Sequence, residues 1–493
     1  MTRTYRPEVG DVIKRARLTE VLTAQIGGES SALGGRGGWI DVDDPATGVT
    51  VASFETSSAE VVDAAVRSAN EAFHRWREVP PAERGRLLAG VGAAIRRDAD
   101  LLAQLESIDS GKPVSQARTD IAGSARYFEY YAGLADKIHG ETLPQAPGTF
   151  AFTRREPLGV VAHITPWNAP LTQLTRGVAP CLAAGNAVVV KPSELTPLTS
   201  VYLARLIAET GLPAGLCNVV LGAADPTGTA LTEHELVRHV TFTGSVAAGR
   251  AVGAVAARRI IGVNLELGGK SPTIICADAD LEAAAAAGAQ AVVRNSGQSC
   301  FATTRLLVDR AVRPRFVELL AARMAGLSVG HGLDNPDVGP LISERQLERV
   351  TSYIDSARED GARVVIGGDQ PPAGGRFINP TLVEDVTNDM RIAREEIFGP
   401  VQCVLEFGSL EEAIAIANDT EYGLSAGVFT RDVSTAHQVA ERLEAGQVQV
   451  NRYIGAGVEV PFGGYKNSGL GREKGTEAVH HYTQVKSVIM DIA

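Results

Sequence analysis

The sequence predicts an α/β fold assembled from parallel βαβ units, on three observations. Seven short β-branched or apolar runs recur along the chain: "GVVAHIT", "NAVVVKP", "VRHVTFTG", "PTIIC", "TRLLVD", "ARVVIGG" and "VQCVLEF". Runs of this kind read as strands buried on both faces. The intervals between them leave room for helices, the alternation that builds a parallel sheet with helical layers. Near the N-terminus, Ser57 and Glu60 have capping-box spacing, and Val62, Val66, Ala69, Phe73 and Trp76 follow at three- and four-residue steps. That period predicts an amphipathic helix with one face on a core.

A chain of 493 residues has room for two to four domains at about 100 to 200 residues each. Residues 22 to 40, rich in glycine and serine, read as an irregular lead-in, and a composition shift around residues 257 to 272 marks a candidate boundary between lobes. No tandem repeat of 20 to 50 residues is present. The net charge of −11, with both signs interleaved, offers no basic stripe, which argues against a nucleic-acid partner. The N-terminus lacks the apolar run of a secretory signal, and no segment reaches the roughly 18 apolar residues of a membrane helix, so a cytoplasmic location is expected. Five dispersed cysteines without a CxxC pair argue against a disulfide framework or a zinc site. Cys276 and Cys403, within apolar runs, read as inert core residues.

In doubly wound sheets, ligands sit where strands end and helices begin. Three runs end in turns with functional groups: "TPWNAP", "KPSE" and "FTGS". Neither common nucleotide fingerprint is present. No GxGxxG follows a strand, and "GGKS" has Asn264 where a P-loop needs glycine. In "FTGSVAAG", Gly244, Ser245 and Gly249 either open an ordinary helix or present its N-terminal amides to an anion. Lys191 and Glu194 are either an exposed turn or a pair binding the adenosine ribose hydroxyls. A glutamate there would repel a 2′-phosphate and favour NAD over NADP. Glu266, an acid among leucines, is a surface residue or a general base of raised pKa. Asn168 caps a helix or donates to an oxyanion. Cys300, in the glycine-broken loop "NSGQSCFATTR", is a filler in a turn, a metal ligand or an accessible thiolate nucleophile.

Taken together and in order, "TPWNAPL", "KPSE", "FTGS", "LELGGKSP", "GQSC", "EEIFGPV", "YGLSAGVFT" and "PFGGYKNSGLGRE" resemble the signature segments of the NAD(P)-dependent aldehyde dehydrogenase superfamily, from about residue 40 to the end. The resemblance implies two doubly wound parallel-sheet domains and a small β arm. The dinucleotide-binding domain would comprise residues 1 to 122 and 148 to 256, the catalytic domain 257 to 469, and the bridging arm 123 to 147 with 470 to 493. In the family the arm joins a neighbouring subunit, so a homodimer or homotetramer is expected. Cys300 matches the nucleophile that adds to the aldehyde carbonyl, Asn168 and the Cys300 N–H the oxyanion hole, and Glu266 the base that activates water against the thioester. Lys191 and Glu194 match the ribose-binding pair. Ser245 matches the pyrophosphate site, and Glu396 and Phe398 the residues beside the nicotinamide. Thr165, Trp167, Gly222 and Gly244 complete the implied cofactor set, with no metal.

Some positions depart from relatives acting on simple aliphatic aldehydes. Arg176 and Arg294 resemble the paired arginines with which succinate semialdehyde dehydrogenases hold a distal carboxylate, which suggests a semialdehyde substrate. Alternatively, Arg294 pairs with a nearby acid and supports its loop. Arg452 and Phe462 join the candidate substrate residues. Ala456 and Gly457 leave space for an aromatic or bulky neutral aldehyde, and Gly177 stands where many relatives carry lysine. Three other functions compete. Glu266 argues against a CoA-acylating enzyme, and its presence with Cys300 and Asn168 argues against a catalytically idle relative. A cysteine hydrolase would want a histidine partner, which no segment supplies.

Overall fold

The run Val160–Ile164 is buried along its whole length and occupies the middle of an eight-stranded sheet. In this computed structural model, which describes residues 5–31, 37–371, 374–453 and 456–492, that sheet grows outward from the middle strand in two directions. Ala187–Lys191 and Cys217–Val219 lie on one side, and Val237–Thr243 and Gly262–Glu266 on the other, all parallel. The direction of winding therefore reverses between Val160–Ile164 and Val237–Thr243. A crevice opens at the carboxyl ends of strands at such a switch point.

A second sheet of seven strands has the order Arg363–Ile366, Thr381–Glu384, Val401–Phe407, Arg305–Asp309, Pro272–Ile275, Ser425–Phe429 and Gln447–Val450. Six of the seven anticipated runs are parallel strands of these two sheets. The exception, "ARVVIGG", is an antiparallel edge strand and only partly buried. Helices cover the sheets, and apolar clusters fill both faces of the second one.

The amphipathic helix is Ala59–Trp76, with Val62, Val66, Ala69, Phe73 and Trp76 all buried. Its N-cap is Ser58 rather than Ser57, whose hydroxyl instead accepts the Leu221 N–H at 3.1 Å. Long-range demand for an acceptor outweighed the local spacing. The lead-in is less irregular than its composition implies, since Gln25–Ile26 and Glu29–Ser30 extend the first sheet antiparallel. Cys276 lies just past Pro272–Ile275 and is only partly buried, whereas Cys403 is fully buried.

The strand Gly262–Glu266 belongs to the first sheet and Pro272–Ile275 to the second, so the chain changes lobe between residues 266 and 272, inside the composition shift at 257 to 272 and beyond the domain bound at 257. Much of the anticipated arm segment 123 to 147 is helix, within Val114–Leu134. The tail strand Thr483–Asp491 pairs antiparallel with Thr149–Pro157, which also pairs with Thr142–Leu143. The arm's longest partner strand therefore begins just beyond the anticipated segment. None of the described helices is long and apolar enough to cross a membrane.

Two histidines are sealed into the first sheet. His163 and His239 are each 2% exposed; His163 Nε2 lies 3.1 Å from the Gln173 carbonyl, and neither ring nitrogen of His239 has a partner. A Cβ on Gly177 would lie 2.2 Å from the His163 ring, so the ring explains the glycine. Burial lowers His163 to about 4 and His239 to about 3. Above about pH 6.5 both are neutral folded or unfolded, and their contribution to stability is at its maximum. As the pH falls through that value only the unfolded chain takes up protons, so stability is lost down to the folded values. By pH 5 each histidine is expected to have removed roughly 2 kcal/mol. Denaturant unfolding at pH 7 and pH 5 should show this loss, and His239→Leu should recover its share; an unchanged pH dependence in that variant would refute the assignment.

Candidate active site

The three turns named from the sequence meet in one cleft of about 480 Å³. Pro166, Trp167 and Asn168 line it after Val160–Ile164, Ser193 and Glu194 after Ala187–Lys191, and Gly244 and Ser245 after Val237–Thr243. From the second lobe come Cys300, Glu396 and Phe398. The cleft thus joins the carboxyl ends of the first sheet to the cysteine loop of the second lobe.

Backbone hydrogen bonds and side chains hold that loop rigidly. Asn295, Ser296 and Gly297 take consecutive left-handed conformations with φ of 49°, 56° and 69°. Left-handed backbone costs a non-glycine residue about 1 to 2 kcal/mol, so surrounding contacts must enforce it. Asn295 Nδ2 donates to the Asn168 carbonyl at 2.7 Å and to the Gln298 carbonyl at 3.1 Å. Ser296 donates to the Gly339 carbonyl at 2.9 Å, and Gln298 Oε1 accepts the Ile342 N–H at 2.9 Å. At Gly297 a Cβ would lie 2.1 Å from the Gly399 carbonyl oxygen, so only glycine fits. Asn168 Nδ2 donates to the Gln298 carbonyl at 3.0 Å, while its Oδ1 has no partner. This single bond sets the amide plane beside the cysteine and leaves one N–H of the two for another acceptor.

Burial pushes the half-buried Cys300 thiol up to about 12, with Arg176 acting in the opposite direction. Glu266, 2% exposed at the end of Gly262–Glu266, has neither carboxylate oxygen hydrogen-bonded. Burial and the nearby Glu473 hold its pKa well above the ordinary carboxylate range. The paired glycines of "LELGGKSP" give room for this crowding. A Cβ on Gly268 would meet Glu396 Oε2 at 2.5 Å, and one on Gly269 the Cys300 carbonyl oxygen at 2.2 Å. The Gly269 N–H donates to Glu396 Oε1 at 3.0 Å, and burial raises that carboxyl to about 7. The Phe398 ring meets Trp167 edge-on at 5.1 Å.

Not every anticipated cofactor residue faces the cleft. Lys191 is buried behind it, donating to the carbonyls of Gly222 at 2.7 Å and Pro192 at 2.9 Å, with Glu194 at 3.8 Å. Gly222 therefore contributes by orienting Lys191. Thr165 is buried, its N–H bonded to the Lys191 carbonyl. Ser245 caps the helix Val246–Arg259 by accepting the Ala248 N–H at 3.3 Å.

Two of the three anticipated substrate arginines are engaged by acids. Arg176 is buried, ion-paired with Glu473 and stacked over the Phe462 ring at 4.9 Å. Arg294, a third exposed, donates to Asp120 at 3.1 Å, and Asp120 also accepts from the buried Lys112 at 2.8 Å. The loop-supporting alternative for Arg294 is the arrangement observed. Arg452 is exposed, outside the cleft lining. Phe301, Tyr453 and Phe462 form an aromatic group beside Cys300, with Phe301 6.2 Å from each of the others.

Sequence reading missed the helix Glu344–Glu359, which lends Arg345, Gln346 and Arg349 to the cleft. Gln346 donates to the Phe398 carbonyl at 2.8 Å and Arg349 to the Glu396 carbonyl at 2.5 Å, which positions the "EEIFGPV" turn. Polar residues three and four apart after the N-cap Ser343 were the available signal, but any exposed helix face shows them.

A model of the aldehyde dehydrogenase family matches residues 34–488. An aldehyde dehydrogenase of Aspergillus niger is 42% identical over 458 residues, covering 92% of each chain. The structure of a Bacillus cereus aldehyde dehydrogenase in complex with NAD+ superposes with a TM-score of 0.95 at 40% identity over 100% of both chains. A betaine aldehyde dehydrogenase of Staphylococcus aureus, also in complex with NAD+, gives 0.94 at 34% identity, over 98% of this chain and 97% of that one.

Proposed function

The chain belongs to the aldehyde dehydrogenase family, and from that premise we propose that it oxidises an aldehyde to the carboxylic acid with NAD, through a thioester on Cys300. The observation that carries this reading is the single cleft lined by Glu194, Ser245, Trp167, Asn168 and Cys300. Its residues fit a dinucleotide. Glu194 would accept from the adenosine ribose, the start of Val246–Arg259 at Ser245 would face the pyrophosphate, and Glu396 and Phe398 would flank the nicotinamide. The first lobe would thus hold the cofactor and the second supply the nucleophile. Bound NAD would supply the hydride acceptor that converts the thiohemiacetal into the thioester.

The chain's own residues account for the remaining chemistry. Glu266 takes the Cys300 thiol proton and passes it to solvent, and Sγ then adds to the carbonyl carbon. Asn168 Nδ2 and the Cys300 N–H then donate to the oxygen that gains negative charge, which is worth most in a site emptied of water. Glu266 takes a proton from water as it attacks the thioester, releasing the acid and the thiolate. A raised carboxyl pKa matches this base to near-neutral pH.

For the substrate we favour a neutral aldehyde with an aromatic or bulky tail. Arg176 and Arg294 already face carboxylates, and Phe301, next to Cys300 in the chain, groups with Tyr453 and Phe462. A carboxylate-bearing semialdehyde is the second reading, favoured by Arg294, which keeps donors beyond the one given to Asp120. NADH formation with aromatic, aliphatic and succinate semialdehydes, each with NAD and with NADP, decides among these. The highest kcat/KM is expected with an aromatic aldehyde and NAD. A preference for succinate semialdehyde would select the second reading, and no reduction with any aldehyde would overturn the function.

Two or four copies are proposed to assemble through the tail strand, whose Val485, Ile489 and Met490 are exposed apolar residues at an antiparallel edge. Light scattering should give a dimer or tetramer mass; a monomer would refute this.

A further inference from the structure

Gly463 and Phe462 bring together charged groups that lie far apart in the sequence. Phe462 and Glu473 exchange backbone hydrogen bonds at 2.6 and 2.7 Å, an antiparallel bridge that places the Glu473 carboxylate near the Phe462 ring. Arg176 lies against that ring and ion-pairs with Glu473. One residue on, a Cβ built on Gly463 would be 2.9 Å from Glu266 Oε1, so the base abuts the same short bridge. Phe462 in turn packs edge-on against Phe301, the neighbour of Cys300. Arg176, Glu473 and Glu266 are all buried, with side chains 7% and 3% exposed for the first two and Glu266 at 2%. Neither oxygen of Glu266 is hydrogen-bonded.

We propose that Arg176 is a positioning residue, the counter-charge shared by Glu266, Glu473 and the Cys300 thiolate, and not an anchor for a substrate carboxylate. The inference rests on the proposed roles of Cys300 and Glu266. A buried carboxylate close to a nucleophilic sulfur opposes its ionisation, as Glu266 and Glu396 do for Cys300, because like charges in a desolvated site repel strongly. One buried guanidinium offsets that repulsion and, being always charged, does so at every working pH. Other charges bear on the cluster. Arg472 acts on Glu266, Lys474 on Glu473, Tyr127 on Arg176, and Glu396 opposes ionisation of Cys300. Arg176 is the cation that acts on Glu266, Glu473 and Cys300 alike, and it favours the charged form of each. A substrate carboxylate reaching Arg176 would have to displace Glu473 from a pair closed off from solvent. Displacement of that kind would leave Glu473 buried without its cation.

The test is the rate of Cys300 alkylation by iodoacetamide as a function of pH, in the full-length protein with neither aldehyde nor NAD present. Mass spectrometry locates the adduct at Cys300. For Arg176→Gln the alkylation profile is expected to move to higher pH by about one unit, a roughly tenfold slower reaction at pH 7.5. Arg176→Lys should restore most of the rate, since a cation at that place suffices. If Arg176→Gln fails to fold, the double variant Arg176→Gln/Glu473→Gln, which leaves Glu473 no unpaired charge, carries the same expectation. A wild-type alkylation profile in whichever of these folds overturns the proposal. So does a selective loss of kcat/KM for succinate semialdehyde with an unchanged profile, which would make Arg176 a substrate anchor. Alkylation requires no turnover, so failure of the aldehyde-oxidation reading would appear as absent NADH formation and leave this result interpretable.

Discussion

Cys300→Ala is expected to lower aldehyde-dependent NADH formation by at least about 10⁴-fold, because the covalent path is lost entirely. NAD binding should persist, since Glu194, Ser245, Glu396 and Phe398 lie on other segments of the cleft wall. Folding should persist as well. The loop before Cys300 is held by Asn295, Ser296, Gln298 and the fit of Gly297 under Gly399, none of which involves the sulfur. Titration of NAD by protein fluorescence, together with steady-state rates, separates the two effects. Full activity in the alanine variant would exclude a covalent mechanism at this residue.

Lys112→Met is expected to destabilise the fold by about 3 to 5 kcal/mol, the range for removing one partner from a buried ion cluster. Lys112 is 1% exposed and donates to Glu106 at 3.0 Å and Asp120 at 2.8 Å. Methionine would leave two carboxylates buried with less compensation. Burial already raises the pKa of Glu106, and without the ammonium it should rise further. A carboxyl whose folded pKa lies above its unfolded value holds a proton in the folded state that the unfolded chain releases. The deficit relative to wild type should therefore narrow as the pH falls from 7 toward 5. Guanidinium unfolding at several pH values measures both effects, and a difference below about 1 kcal/mol at pH 7, in the range of an exposed pair, would show that the cluster is not essential.

The same cluster reaches the site from two directions. Glu106 Oε2 accepts the Leu171 N–H at 3.2 Å, at the start of the helix Pro170–Ala183 that follows Asn168, while Asp120 accepts from Arg294, ahead of the cysteine loop. Loss of Lys112 should consequently lower kcat in protein that remains folded.

Local chemistry was enough to nominate Cys300, Glu266 and Asn168, and to place three ligand turns after "VVAHI", "AVVV" and "RHVT". Asn168, Glu266 and the turns depend on residue type and on a strand-to-turn transition, and Cys300 on a polar, glycine-broken loop, all of which are written in a few adjacent residues. The α/β class followed for the same reason, since runs of buried strand residues and a 3.6-residue period are local patterns. What each charged group faces was a different matter. Arg176 and Arg294 could be read as substrate anchors because an arginine shows its charge in the sequence but not its partner. Only the folded chain brings Glu473 to the one and Asp120 to the other, and burial then makes each pairing costly to break. Ser57 likewise had the spacing of a cap, yet Ser58 caps the helix because Leu221, in the loop after Cys217–Val219, occupies the Ser57 hydroxyl. Residue identity determined which chemistry is possible here, and tertiary packing, by setting distances and excluding water, decided which charges remain for a substrate.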